Sequence, residues 1–228
     1  MEINTIGYIR TPYKEKFGVP RQPNLVPQGK GELHLISPFN QPDFVRGIEQ
    51  FSHLWLLFIF SQTKDKKWHP TVRPPRLGGN ERIGVFASRS TFRPNSIGLS
   101  AVELHDVFIN KNEIILKLGS VDLVDMTPII DIKPYIPYSD SYPNASAGYA
   151  QDAPLATLNV QFSETANAKL TCEPTLKQLI IEVIAQDPRP AYKKDKNDNS
   201  IFGIQLSNLN VRWSVNNQTA TIVDVENI

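Results

Sequence analysis

This sequence has little that can be oxidised and nothing long enough to cross a bilayer as a helix. Its 228 residues include one cysteine, Cys172, and two methionines. A lone cysteine forms no internal disulfide and builds no zinc cluster, so the expected setting is a reducing compartment and the expected chemistry is metal-free. The longest apolar run, LWLLFIF at 54–60, is far short of the roughly 20 residues a spanning helix needs. The opening MEINTIGYIRTPYKEK has no apolar stretch after a basic start, unlike a signal peptide. No G-x-G-x-x-G follows a strand pattern, which removes support for a Rossmann nucleotide site. Gly78-Gly79 runs into Asn80 rather than Lys-Ser, so there is no P-loop. No G-x-S-x-G elbow occurs, and the four histidines lack H-E-x-x-H spacing. The formal net charge is only +1, so any anion-binding face must be local. The expectation is a soluble cytoplasmic protein without metal or membrane partners.

Lysine is missing between Lys67 and Lys111, and arginine takes its place. Five of the ten arginines, Arg73, Arg76, Arg82, Arg89 and Arg93, fall in VRPPRLGGNERIGVFASRSTFRPNSIG, where Glu81 is the sole carboxylate. An ordinary solvated surface mixes lysine, arginine and acids. Arginine alone suits planar, bidentate recognition of phosphate, carboxylate or base edges. Pro74, Pro75, Pro94, Gly78, Gly79 and Gly98 between them read as rigid irregular loops that let backbone approach a ligand. For a single arginine, pairing with acids elsewhere is the simpler reading; for the cluster, a binding site is.

Period-two patterns dominate the first 135 residues. Strands are predicted at 3–9, 32–36, 83–87, 97–104, 113–118, 121–124 and 129–132, with a helical turn at 44–50. FSHLWLLFIF at 51–60 is bulky on both faces and reads as a fully buried central strand. His53 within it reads as a satisfied core or edge histidine. The Pro- and Gly-rich segment YKEKFGVPRQPNLVPQGKG at 13–31 is a long loop whose Phe17, Val19, Leu25 and Val26 imply packing on something. Short strands with frequent turns suggest an all-β barrel or sandwich. SDSYPNASAGYAQDAP at 139–154 marks a domain boundary, giving domains at 1–140 and 155–228. Beyond it come a half-buried strand at 156–162 and a helix at 174–185 with Leu176, Leu179, Ile180, Val183 and Ile184 on one stripe. Lys193, Lys194 and Lys196 make a basic loop, and strands near 201–206, 211–215 and 219–225 complete a small α+β domain.

LGSVDLVDMT at 118–127 turns on Gly119-Ser120 and carries Asp122 and Asp125 three apart. On the residues alone these aspartates cap backbone N–H groups. Taken with IGYIRTPYKEKFGVPRQP, FSHLWLLFIF, the arginine stretch and LGSVDLVDMTPIIDIKPY, however, it closely resembles the TsaA-like (TrmO) family. DPRPAYKK and NVRWSV are similar to its bacterial branch, so the resemblance covers nearly the whole chain. It implies a mainly β protein with an N-terminal β-barrel methyltransferase domain and a small α+β C-terminal domain. The implied activity is methylation of N6 of threonylcarbamoyladenosine at position 37 of threonine tRNA, with S-adenosylmethionine as cofactor, by a homodimer. The implied cofactor residues are Pro23, Asn24, Leu25, Ser61, Gln62, Arg89, Leu99, Gly119, Ser120, Val121 and Asp122. Proline is expected where Ser96 stands and glycine where Met126 stands; Met126 argues against a positive φ at that position.

A weakly nucleophilic, urea-like N6 needs a base to take its proton, and Asp122, Asp125 or a water are the candidates. Arg73, Arg76, Arg82 and Arg93 are expected to bind substrate, at anticodon-loop phosphates or the threonyl carboxylate. Phe92 and Tyr13 are candidates for base stacking, though core packing is the simpler role for each. Arg189 and the lysine loop suggest either a tRNA contact or a solvated turn. The alternative to an enzyme is a non-catalytic RNA-binding barrel using the same arginines.

Overall fold

A computed structural model of the chain describes residues 2–111, 113–190, 193 and 200–228. The chain divides into two compact units, each assembled from separate pieces of sequence. The first contains Met1–Ile9, Leu33–Lys117 and Thr127–Ala153. The second contains Arg10–Glu32, Leu118–Met126 and Pro154–Ile228.

The first unit is built on a closed barrel. Its strands are β1 (Gly7–Arg10), β2 (Gly31–Leu35), β3 (His53–Ile59), β6 (Ile97–Asn110), β7 (Glu113–Gly119) and β8 (Thr127–Pro134), in the order β1-β2-β7-β6-β3-β8. Two-residue strands β4 (Thr71–Val72) and β5 (Ile83–Gly84) pair apart from it within the arginine stretch. Alternation drives closure: Leu54, Leu56 and Phe58 on β3, Val102 on β6, and Ile114 and Leu116 on β7 are buried. Each such side chain contributes about 1.5–3 kcal/mol. β3 is not buried on both faces; His53, Trp55, Leu57 and Ile59 are only half-buried, because a barrel strand has one inward face. His53 shares a 3.0 Å contact through Nδ1 with the Ser52 hydroxyl, a satisfied histidine as expected. Gly98 faces Phe58 in register, and a Cβ there would lie 2.2 Å from the ring, so only glycine fits.

Other boundaries differ from expectation. The first strand begins at Gly7, not Ile3, and the expected strand at 83–87 stops at Gly84 and tightens into a 3-10 turn at Val85–Ala87. The turn expected at 44–50 is a pair of 3-10 turns, Pro42–Val45 and Ile48–Gln50. No strand forms at 121–124: Ser120 has φ of +43°, which turns the chain out of β7.

After β8 comes the single turn α1 (Pro137–Asp140). The Asp140 carboxylate accepts the Ile136 N–H and the Trp55 Nε1–H, both at 2.9 Å. These bonds, the backbone one foremost, hold its pKa below the ordinary 3.8. A depressed folded pKa adds stability that is complete above 3.8 and lost as pH falls through the folded value. The Trp55 indole N–H resonance should therefore move as the solution is acidified below 3.8, and should not titrate there in Asp140→Asn.

The second unit holds a four-stranded sheet, order β10-β11-β12-β9, from β9 (Asn159–Phe162), β10 (Ile201–Leu206), β11 (Leu209–Asn216) and β12 (Thr219–Asn227). β9 joins β12 in parallel; the other pairs are antiparallel. α3 (Pro174–Ala185) buries Leu179, Ile180, Val183 and Ile184, four of the five residues of the expected stripe. A shorter helix that the sequence reading lacked, α2 (Glu164–Lys169), is capped by the Ser163 hydroxyl, which accepts the Ala166 N–H at 3.1 Å. The long N-terminal loop packs here. Tyr13 bridges Leu206 at the edge of β10, and the Ser207 N–H donates to the Pro12 carbonyl at 2.7 Å.

Arg189 is neither solvated nor open to a phosphate. It is 8% exposed, and its Nε and Nη2 fork onto the two Asp187 oxygens at 2.8 and 3.1 Å. Of the basic loop, Lys194 and Lys196 lie outside the described residues.

Candidate functional site

In the second unit, the turn that leaves β7 is held by strained backbone and by the N-terminal loop. Ser120 and Asn24 both adopt left-handed conformations, φ +43° and +67°, and the Asn24 N–H donates to the Ser120 carbonyl at 3.3 Å. The left-handed region costs an L-residue roughly 1–2 kcal/mol, and such residues collect at ligand sites and turns. Two bonds hold Ser120 there: its hydroxyl donates to the Val26 carbonyl at 3.2 Å, and the next amide, Val121 N–H, donates to the Gly29 carbonyl at 2.8 Å. The structure thus brings the expected cofactor residues 23–25 against 119–122. Gly119, Ser120 and Val121 are buried, Pro23, Leu25 and Asp122 are half-buried, and Asn24 is exposed.

The two aspartates part company. Asp125 accepts the Thr11 N–H at 2.8 Å on one oxygen and the Lys14 ammonium at 2.7 Å on the other, while its own N–H donates to the Tyr13 carbonyl. That is the capping role the residues alone suggested. Asp122 is half-buried in the same turn. Burial, then the Glu182 and Asp122 carboxylates, push the Tyr13 hydroxyl pKa far up, so it stays protonated. Tyr13 is fully buried and its hydroxyl has no partner among the described residues, which makes it a core residue rather than a stacking platform.

Met126 overturns one expectation. It has φ of +60°, the conformation its side chain was expected to forbid. The flanking bonds at Asp125 and the pairing of β8 from Thr127 fix the backbone, and the side chain, 48% exposed, meets no crowding. Ser96 has φ of +49°, a value the proline ring excludes.

In the first unit, the segment after β3 meets the arginine stretch. The Phe60 N–H donates to the Ser96 carbonyl at 2.8 Å and the Thr63 hydroxyl to the Thr91 carbonyl at 3.2 Å. These bonds set the exposed Ser61 and Gln62 beside the 91–96 segment. Leu99, 52% exposed, pairs with Leu57 across β6 and β3. Arg73, Arg76, Arg82 and Arg89 are exposed. Arg93 is half-buried and donates through Nη1 to the Ser88 and Ser90 carbonyls at 3.2 and 3.4 Å, bracing its own loop. Arg82 reaches the Thr71 hydroxyl and Arg76 the Asp152 carbonyl. With the described residues, none of Arg73, Arg76, Arg82 and Arg93 forms an ion pair, which argues against a purely structural cluster. Phe92 is 38% exposed, but Phe86, which sequence reasoning passed over, is 80% exposed. Its signal was an aromatic next to buried Val85 in a turn with arginines on either side.

Residues 8–141 match the family described as the tRNA-methyltransferase O N-terminal domain, and residues 155–228 match the TrmO C-terminal domain. The tRNA (adenine(37)-N6)-methyltransferase of Escherichia coli strain K12 is 59% identical over 94% of this chain and 93% of its own. A putative S-adenosylmethionine-dependent methyltransferase, RcsF, of Pseudomonas aeruginosa is 44% identical over 92% of this chain and 91% of its own. A crystal structure of TrmO from P. aeruginosa superposes with a TM-score of 0.80 at 36% identity, covering 100% of this chain and 97% of that one. Barrel, C-terminal sheet and sequence agree along the full length: the chain belongs to the tRNA-methyltransferase O family.

Proposed function

We propose that this chain is a homodimeric, cytoplasmic enzyme that transfers a methyl group from S-adenosylmethionine to N6 of threonylcarbamoyladenosine at position 37 of threonine tRNA. The observation that carries the reading is the 59% identity with a tRNA (adenine(37)-N6)-methyltransferase across almost the entire chain. The threonylcarbamoyl group and the threonine tRNA are the finer part, and they rest on the family resemblance.

The residues present suit the cofactor. A strained turn at the exposed Asn24, the half-buried carboxylate of Asp122 and the apolar Leu25 fit an adenine edge and its donors. The exposed Arg89 suits a carboxylate, and Ser61, Gln62 and Leu99 are accessible for contact. With Pro23, Gly119, Ser120 and Val121 these are the proposed cofactor residues. Bound, S-adenosylmethionine supplies an already activated methyl group. The chain's own work is to orient N6 toward that carbon, which lowers the barrier by roughly 7–11 kcal/mol, and to accept the N6 proton. Asp122 is the proposed base, because its half-buried carboxylate stands in the same turn as the proposed cofactor residues Gly119, Ser120 and Val121.

Arg73, Arg76 and Arg82 are proposed to hold anticodon-loop phosphates or the threonyl carboxylate, with Phe86 beneath an unstacked base. Arg93, the fourth proposed substrate residue, acts in part by shaping its loop. Arg73→Ala and Arg82→Ala should each weaken tRNA binding and flatten its log–log salt dependence by about one unit, measured by filter binding across a salt series. An unchanged slope would return these arginines to a structural role.

The deciding experiment incubates the full chain with methyl-labelled S-adenosylmethionine and tRNA from cells lacking this activity, then resolves the nucleosides. Label on threonylcarbamoyladenosine supports the proposed activity, cofactor and substrate. Label on unmodified adenosine 37 would leave a methyltransferase with another substrate, and tRNA binding without label would favour a binding module. Light scattering at twice the chain mass tests the dimer.

A further inference from the structure

We infer that Glu182, on α3 of the C-terminal segment, is a positioning residue for cofactor binding, so that this segment acts on the cofactor loop directly. One Glu182 oxygen accepts the Gln28 N–H at 2.8 Å, a contact 154 residues apart in sequence. The other accepts the Gln178 amide, one turn earlier on α3, at 3.1 Å, which fixes the carboxylate's rotamer. Gln28 and Gly29 end the loop that begins at Pro23. From there the connection is continuous: the Gly29 carbonyl takes the Val121 N–H, Val26 takes the Ser120 hydroxyl, and Ser120 takes the Asn24 N–H. Asn24 and Ser120 sit in conformations they would leave if unconstrained, so something outside the loop must hold them. A charge-assisted bond from a helix is a suitable anchor, since α3 is fixed by its four buried residues. Glu182 touches neither cofactor nor substrate; it acts through the loop.

The inference rests on the proposed cofactor residues, and the experiment separates the two. Full-length wild type, E182A and E182Q are titrated with S-adenosylhomocysteine by calorimetry, amide hydrogen exchange is followed, and tRNA affinity is measured at fixed salt. Alanine suits a helix, so E182A is expected to fold. It should bind S-adenosylhomocysteine about tenfold more weakly, with tRNA affinity changed by less than about twofold. Exchange should quicken at Gln28, Gly29 and Val121 but not along β11. E182Q keeps an acceptor oxygen and should recover most of the affinity. Unchanged affinity in E182A, exchange that quickens uniformly, or loss of tRNA affinity alone would each overturn the inference. If E182A does not fold, Q178A, which only frees the carboxylate rotamer, should weaken binding by about two- to threefold, and no change there overturns it. Wild type that fails to bind S-adenosylhomocysteine would overturn the cofactor reading and this inference together.

Discussion

Asp122→Asn should lower kcat for methyl transfer by roughly 10²–10⁴-fold, the range for loss of a positioned general base. The substitution keeps the size and the acceptor oxygen and removes the ability to take the N6 proton. Asp125→Asn is the control. Asp125 has one oxygen on the Thr11 amide and the other on Lys14, so its loss should loosen the turn and lower stability modestly; its side chain is only 18% exposed. Its kcat should fall less than about tenfold. Single-turnover rates at saturating cofactor and tRNA read both variants. If Asp125→Asn shows the large loss and Asp122→Asn the small one, the assignment of the base is reversed.

Gly29→Ala is expected to cost about 2–3 kcal/mol of stability, the upper part of the usual range for overpacking. A Cβ at Gly29 would sit 1.8 Å from the Tyr13 hydroxyl oxygen and 3.0 Å from the Val26 carbonyl. Tyr13 is fully buried and cannot swing into solvent. The Tyr13 hydroxyl is also without a partner among the described residues, a situation that costs about 1–3 kcal/mol. Tyr13→Phe alone should therefore be neutral or stabilising, and in the Tyr13→Phe background the alanine should cost much less. Denaturant unfolding of the four proteins gives the coupling between the two positions. Additive costs would mean that Val26, not the hydroxyl, is the obstacle.

Sequence showed most of the fold because most of it rests on local pattern. The helix at 174–185 was legible from its stripe and its leading proline, and the strands at 113–119 and 201–206 from alternation and flanking turns. What failed depended on distant partners. Residues 121–124 have the composition of a strand, but their amide and carbonyl groups bond to Gly29 and Thr11, far away in sequence. FSHLWLLFIF looked buried on both sides because apolar content does not say how many layers cover a strand. Met126 at positive φ was misjudged because the cost of that conformation, roughly 1–2 kcal/mol, is small beside the contacts that enforce it. Arg189 looked like every other exposed arginine until Asp187, two residues before it, proved to be its fork partner. The candidate site was legible as a set of segments through the family resemblance. Phe86 was passed over because 83–87 reads as a strand, whereas the 3-10 turn at Val85–Ala87 exposes it.

The bridge from Tyr13 to Leu206 has a bearing on modularity. A closed barrel has no free edge, but an open four-stranded sheet has two, and a bare edge recruits other chains. Here the outer strand β10 is screened by residues 12–15: the Ser207 amide bonds Pro12, and the Gln205 amide bonds the Glu15 carboxylate at 3.3 Å. A C-terminal piece cut free at the 139–154 linker would lose that screen and a buried tyrosine with it. The segment that looks most like a detachable module in sequence is thus tied to the chain's beginning, and recombination or truncation there would trade independence for self-association.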